Sequence, residues 1–344
     1  MTASLRYEPD PAATVDLGDN TNLWGAPPAA RAALAATATA AISRYPSPYG
    51  DRLKAAAAGY LGVRTGQIVT GCGSDDVLDA AIRSAAEPGQ RLVFSSPTFS
   101  MIPAFGGINR LEPVAVPFRP DWDIDAEALV AARGAVTYLC APNNPTATGI
   151  SRAAMEFVIE RAGGLIIIDE AYAEYAGVTA IDLLERSERV LVVRTLSKAF
   201  GLAGLRVGYA AGAPDLIGRI EGARGPYKVS VASEAAAVSA LTDDRDWVMA
   251  LVAETLALRQ RFEDEVAGAP DCTLLPSHAN FVLAVARPES PDAICALAER
   301  LRARDVSGRF FPALPGIGDA LRLTIGPWEM LAPVVEAMTR EAAR

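Results

Sequence analysis

In the stretch VLVVRTLSKAFGLAGLRVGY, residues 190–209, Lys198 follows an apolar, strand-like run and precedes a series of glycines. Lysine is seldom buried without a partner. An amine in an apolar setting either snorkels to water or condenses with a carbonyl to an imine, which need not carry a bare ammonium. Polar residues that close the other strand-like runs supply partners for such chemistry. Gly73, Ser74 and Asp75 follow 67–71, and Pro97, Thr98 and Phe99 follow 91–96. Pro142, Asn143, Asn144 and Pro145 follow 136–141, Asp169 to Tyr172 close 164–169, and Ser197 and Lys198 follow 189–195. Each signal alone is weak: Asn-Asn-Pro is commonly a turn, and Asp-Glu after an apolar strand can hold Mg²⁺ beside a phosphate loop. The sequence has no GxxxxGK[ST], however, and GCGSDD departs from GxGxxG at Asp76, which removes the main support for nucleotide binding. A lysine, an acid and a helix-terminal phosphate cradle together fit pyridoxal phosphate. Its aldehyde forms an imine with lysine, its pyridine nitrogen needs an acidic partner to hold a proton, and its phosphate needs backbone N–H donors.

These residues sit where an α/β layout places them. Strand-like runs at 67–71, 91–96, 136–141, 164–169, 189–195 and 206–212 are largely apolar without alternation, as in strands covered on both faces. Helix-length segments such as 74–86 and 151–161 separate most of them, so a mostly parallel central sheet flanked by helices is expected. Ligands of such sheets collect outside the carboxyl ends of the strands. An alanine-rich segment, 29–44, reads as a helix that starts at Pro27 and Pro28. Beyond it, 233–241 and 246–265 read as one continuing helical stretch, followed by strand-like and helical segments of a smaller α+β unit. The expected organisation is an N-terminal arm and lid at 1–28, a large cofactor-binding domain at 29–242 and a small C-terminal domain at 243–344.

Composition narrows the partners. Net charge is −9, from 41 acidic against 32 basic residues, with no block of basic residues. Nucleic acid and anionic membrane are therefore poor expectations, and no long uncharged apolar run suggests a membrane span. The first twenty residues lack the apolar core of a signal peptide. Cys72, Cys140, Cys272 and Cys295 are widely spaced and form no CxxC, as expected of reduced thiols in a cytoplasmic protein. With one histidine, His278, neither a histidine-based zinc site nor a Ser-His-Asp triad is expected.

The segments SRYP, GCGSDDVLD, APNNPTATG, IDEAYAEY, SKAFGLAGLRVGY, PSHANFVL and LRLTIG, in this order, resemble a fold-type I aminotransferase of the histidinol-phosphate aminotransferase group. The resemblance runs from about Asn20 to Gly326. It implies that Lys198 holds the cofactor as a Schiff base and shuttles a proton, and that Asp169 pairs with the pyridinium nitrogen. It gives Asn144 and Tyr172 hydrogen bonds to the ring 3′-oxygen and Phe99 a stacking role, where the group usually has tyrosine. Ser74, Asp75, Ser197 and Arg206 would meet the phosphate. Tyr45 would reach the phosphate of a neighbouring subunit, so a homodimer with shared sites is implied. Arg322 would grip the substrate anion and Arg309 would add a second cationic contact. The lid NTNLWG carries Leu23 and Trp24 where the group has a proline and a tyrosine or phenylalanine. A tyrosine hydroxyl there helps bind the substrate phosphate in the group, so Trp24 is expected at the substrate beside Asn144, with only an N–H to donate. NPTATG carries two residues before its glycine where the group has NPTG. The implied activity is transamination between 2-oxoglutarate and histidinol phosphate, an aromatic or a related amino acid. Decarboxylation on the same fold, a specialised biosynthetic reaction on an unusual amino acid, and a regulatory cofactor-binding module are the alternatives.

Overall fold

The computed structural model describes residues 13–37 and 42–339. Seven strands form the large sheet in the order Ile68–Cys72, Val207–Gly212, Val190–Thr195, Leu165–Asp169, Val136–Cys140, Arg91–Ser96 and Glu112–Pro117. Val207–Gly212 runs antiparallel to both neighbours, and the remaining pairs are parallel. The apolar runs split between two cores because successive side chains point to opposite faces. Ile167, Leu191 and Val193 enter one core, and Ile166, Ile168, Val190 and Val192 enter the other. Helices cover both faces, among them Gly73–Ala85 and Pro214–Ala223 on the first and Arg152–Arg161 on the second. This is the α/β architecture the sequence implies, with its strand ends on one rim.

A second, four-stranded antiparallel sheet orders Arg309–Leu314, Gly318–Thr324, Phe281–Ala286 and Cys272–Leu274. Its core takes Leu321, Leu323 and Val282 with Ile294 and Leu297 of helix Ala293–Arg302 and Val334 of helix Trp328–Thr339. Two features tie this unit to the rest of the chain. Val15–Asp16 pairs in parallel with Val306–Ser307, and Leu17 lies in the small-sheet core. Helix Arg245–Val266 places Val248 and Val252 in a large-sheet core and Phe262 and Val266 in the small-sheet core.

Three expectations need correction. The stretch read as one continuing helix breaks between Val231–Thr242 and Arg245–Val266. The break turns Asp244 aside, so that its carboxylate accepts from the N–H groups of Ala29 (3.1 Å) and Ala30 (2.9 Å) at the start of helix Pro28–Thr37. Those N–H groups have no partner within their own helix. The alanine-rich helix is described for Pro28–Thr37; 38–41 lie outside the described residues, and 42–44 are turn and bend. Strand Glu112–Pro117 was not anticipated, because two prolines interrupt it; it sits at the sheet edge, where proline is tolerated. No helix among the described residues is long and apolar enough to cross a membrane.

Candidate active site

At the carboxyl rim of the large sheet lies a cavity of about 130 Å³, lined by Ser74, Asp75, Phe99, Cys140, Asn144, Asp169, Ala171, Tyr172, Thr195, Ser197, Lys198 and Arg206. Nine of these are residues the sequence singles out for the cofactor. Cys140 and Thr195, within strand-like runs, and Ala171, just beyond one, were not assigned to the cofactor, since nothing in their types or spacing marks them for it. No cluster of metal-binding side chains occurs among the described residues.

The acid end is built by strand Leu165–Asp169. Asp169 is buried; its carboxylate accepts from the Tyr138 hydroxyl at 2.7 Å and from the Ala171 N–H at 3.1 Å. Burial pushes its carboxyl up to about 6, against the lowering effect of those two hydrogen bonds, while Asp75 and Glu170 add to the rise. A cation set against this carboxylate favours its ionised form. Tyr138, the nearest support of Asp169, lies inside an apolar strand and sequence reasoning missed it.

Lys198 donates to the Asp19 carbonyl at 2.9 Å. Burial and the nearby Arg322 push its amine down to about 8. The Tyr172 hydroxyl accepts from the amide of buried Asn20 at 3.1 Å, and its ring meets Phe281 edge-on at 5.1 Å. Asn20 is a second supporting residue that the sequence reading did not single out; the contact spans 152 positions. Asn144 accepts at Oδ1 from Arg322 at 2.5 Å, which turns the NH₂ end of its amide into the available donor.

The opposite end is a cradle of donors at the start of helix Gly73–Ala85. Gly73 has φ +78°, and a Cβ there would fall 2.6 Å from Arg206 Nη2; a Cβ on Gly208 would fall 2.2 Å from the Ser74 nitrogen. Arg206 donates to Asp75 at 3.1 Å and to Ser197 Oγ at 3.5 Å, and the Thr195 and Ser197 hydroxyls lie 3.0 Å apart. Helix N–H groups, two serine hydroxyls and a guanidinium suit a phosphate dianion. With an acid at one end, an amine between and this cradle at the other, the donor set fits pyridoxal phosphate.

The Asn144 loop differs from the sequence expectation in a specific way. Ala147 has φ +65° and is fully buried, its N–H bonded to the Asn143 carbonyl at 2.8 Å. The fourth residue of the N-P-T-x motif thus takes the left-handed conformation that suits glycine. Ala147 stands in the glycine position of NPTG, and the apparent two extra residues are a substitution.

Arg322 lies on strand Gly318–Thr324, with Leu321 and Leu323 facing the core and its own side chain on the other face, also bonded to the Gly18 carbonyl. Phe281 and Phe311 rings flank its guanidinium at 5.5 Å each. Arg309 is directly opposite Arg322 in the ladder, so both project from one face. Trp24 does not line the cavity. Its backbone N–H donates to Asn22 Oδ1 at 3.0 Å, the Asn22 amide nitrogen donates to the Ala199 carbonyl at 2.9 Å, and Leu23 is packed against Gly326. Tyr45 lies away from the cavity, 83% exposed and stacked on Tyr227 at 4.8 Å.

The class I and II aminotransferase family matches residues 12–338. A histidinol-phosphate aminotransferase of Roseiflexus castenholzii is 38% identical over 91% of this chain and 85% of its own length. One from Ralstonia nicotianae is 36% identical over 96% and 90%. The crystal structure of histidinol-phosphate aminotransferase from Sinorhizobium meliloti in complex with pyridoxal-5′-phosphate superposes with a TM-score of 0.87 at 26% identity, covering 98% of this chain and 95% of that one. With this match over nearly its full length and a strand-end site suited to pyridoxal phosphate, the chain belongs to the class I and II aminotransferases, which transfer amino groups with that cofactor.

Proposed function

We propose that this aminotransferase moves an amino group between 2-oxoglutarate and an anionic amino donor, histidinol phosphate or an aromatic amino acid. The observation that carries the reading is the pair Arg322 and Arg309 on one face of the small sheet, with Arg322 bonded to the cavity residue Asn144. Two guanidinium groups fit a phosphate, and they equally fit a carboxylate with a polar tail. The similarity to histidinol-phosphate aminotransferases favours the phosphate.

When bound, pyridoxal phosphate supplies an electron sink for negative charge developing at the substrate Cα. The Lys198 amine, pushed down to about 8, would hold the cofactor and serve as the base that takes and returns the substrate Cα proton. Asp169, held by Tyr138 and Ala171, would keep a proton on the pyridine nitrogen. The Asn144 amide and Tyr172 hydroxyl would donate to the cofactor's ring oxygen, and Phe99 would cover its ring. The Ser74 and Ser197 hydroxyls, the Arg206 guanidinium and the backbone N–H groups of Ser74 and Asp75 would hold the phosphate end. The lid is tied to the residue after Lys198 through Asn22, which also accepts from the Trp24 backbone N–H.

A homodimer with shared sites completes the reading. Tyr45 and Tyr227, 83% and 43% exposed, form a stacked aromatic pair on the surface that suits burial against a second copy. A cytoplasmic setting is consistent with four free cysteines. The direct test incubates holoenzyme with histidinol phosphate, tyrosine, phenylalanine and glutamate while the cofactor absorbance is followed. Conversion to the amine form with histidinol phosphate and glutamate supports the reading; release of CO₂ with no conversion by any donor overturns it.

A further inference from the structure

Behind the cavity, on the far side of the same two strand ends, lies a buried ionic triad that the transamination chemistry does not use. Arg194 Nε and Nη2 donate to Glu170 Oε2 at 2.8 and 2.7 Å, and Nη1 donates to Glu174 Oε1 at 2.8 Å. The three side chains are 3–7% exposed. Glu170 also accepts from the Thr179 hydroxyl at 2.8 Å and the Ala180 N–H at 2.5 Å, and Glu174 accepts from the Tyr60 hydroxyl at 3.2 Å. Arg245 lies over the Tyr60 ring, and Tyr209 is the ladder partner of Arg194.

A buried ion pair is a weak device for stability, because desolvation offsets much of the attraction; its best-attested use is to impose one geometry. The geometry imposed here is that of the site. Glu170 immediately follows Asp169, Glu174 stands two residues after Tyr172, and Arg194 stands four before Lys198. The Glu170 N–H bonds the Val193 carbonyl at 2.9 Å, joining the two segments beside the triad. We infer that Arg194, clamped between Glu170 and Glu174, is a positioning residue that fixes the Asp169–Tyr172 segment against the Lys198 segment and sets the charge beneath them. The forked guanidinium is needed because it reaches both carboxylates at once, which an ammonium cannot reproduce.

The inference rests on the reading of Lys198 and Asp169 as cofactor-holding residues. Its test compares Arg194→Met, Arg194→Lys and Glu174→Gln as holoenzymes, by kcat, by KM for the donor and by the pH midpoint of the bound cofactor's visible absorbance. Removing a cation raises that midpoint and removing an anion lowers it. Arg194→Met therefore shifts it up, and Glu174→Gln down, each by roughly half a unit or more. Arg194→Lys keeps the midpoint and loses kcat by about ten- to a hundred-fold through misplacement, with KM little changed. Should Arg194→Met fail to fold, the other two carry the test. Arg194→Lys with parental kcat, together with an unmoved midpoint in Glu174→Gln, overturns the inference. Failure of the underlying reading is distinct, since the parent protein would then show no cofactor band dependent on Lys198.

Discussion

Replacing Arg322 by lysine tests the anion contact with the least change in charge. Arg322 is 8% exposed, and its guanidinium donates to Asn144 Oδ1 and the Gly18 carbonyl and is flanked by Phe281 and Phe311. A lysine at this position keeps the positive charge but has one nitrogen where arginine has three. It can hold Asn144, Gly18 or the substrate, and it cannot present two parallel N–H groups to a carboxylate or phosphate. One hydrogen bond to a charged group is worth ~1.5–3 kcal/mol, so kcat/KM for the donor should fall by roughly ten- to a hundred-and-fifty-fold. Loss of the Arg322 bond also frees the Asn144 amide to rotate, which adds a fall in kcat to the rise in KM. The assay is steady-state kcat/KM for the donor and for 2-oxoglutarate, with thermal unfolding to verify the fold. Unchanged kcat/KM for both substrates in a folded variant would refute the reasoning at this position.

Three further outcomes follow from the site. Asp169→Asn should lower kcat by far more than it weakens cofactor binding, because a neutral amide cannot hold the pyridine proton; turnover within about threefold of the parent, ~0.7 kcal/mol, would make Asp169 structural. With its amine at about 8, Lys198 becomes neutral and nucleophilic as pH rises through that value. Reconstitution of apoenzyme with pyridoxal phosphate should therefore accelerate with pH to a plateau with a midpoint near 8, and a midpoint near the ordinary lysine value of ~10.4 would contradict the cause assigned. Sedimentation should show a dimer, and Tyr45→Ala should weaken phosphate-dependent cofactor retention in it; a fully active monomer would remove the shared-site proposal.

What was legible in the sequence follows from where the information sits. Asp169, Asn144, Ser74 and Lys198 could be read because each ends or closely follows an apolar run, and chain geometry brings such ends to one rim. Tyr138 and Thr195 lie within those runs, where a hydroxyl looks like any other strand side chain, so the hydrogen bond from Tyr138 to Asp169 needed coordinates. Asn20 meets Tyr172 across 152 positions, a contact that no local pattern encodes. The helix break at Asp244 is of the same kind: the residue leaves the helical path to serve N–H groups 214 and 215 positions away. Ala147 shows the reverse limit, since only its backbone angle reveals that it fills a glycine's place.

The central claim is that Lys198 carries the cofactor. Borohydride reduction of the holoenzyme, proteolysis and mass mapping test it directly. The account predicts the full cofactor mass on the peptide containing Lys198 and no stable label in Lys198→Ala. Label on Lys54 or Lys228, or equal labelling of the Lys198→Ala protein, would contradict it.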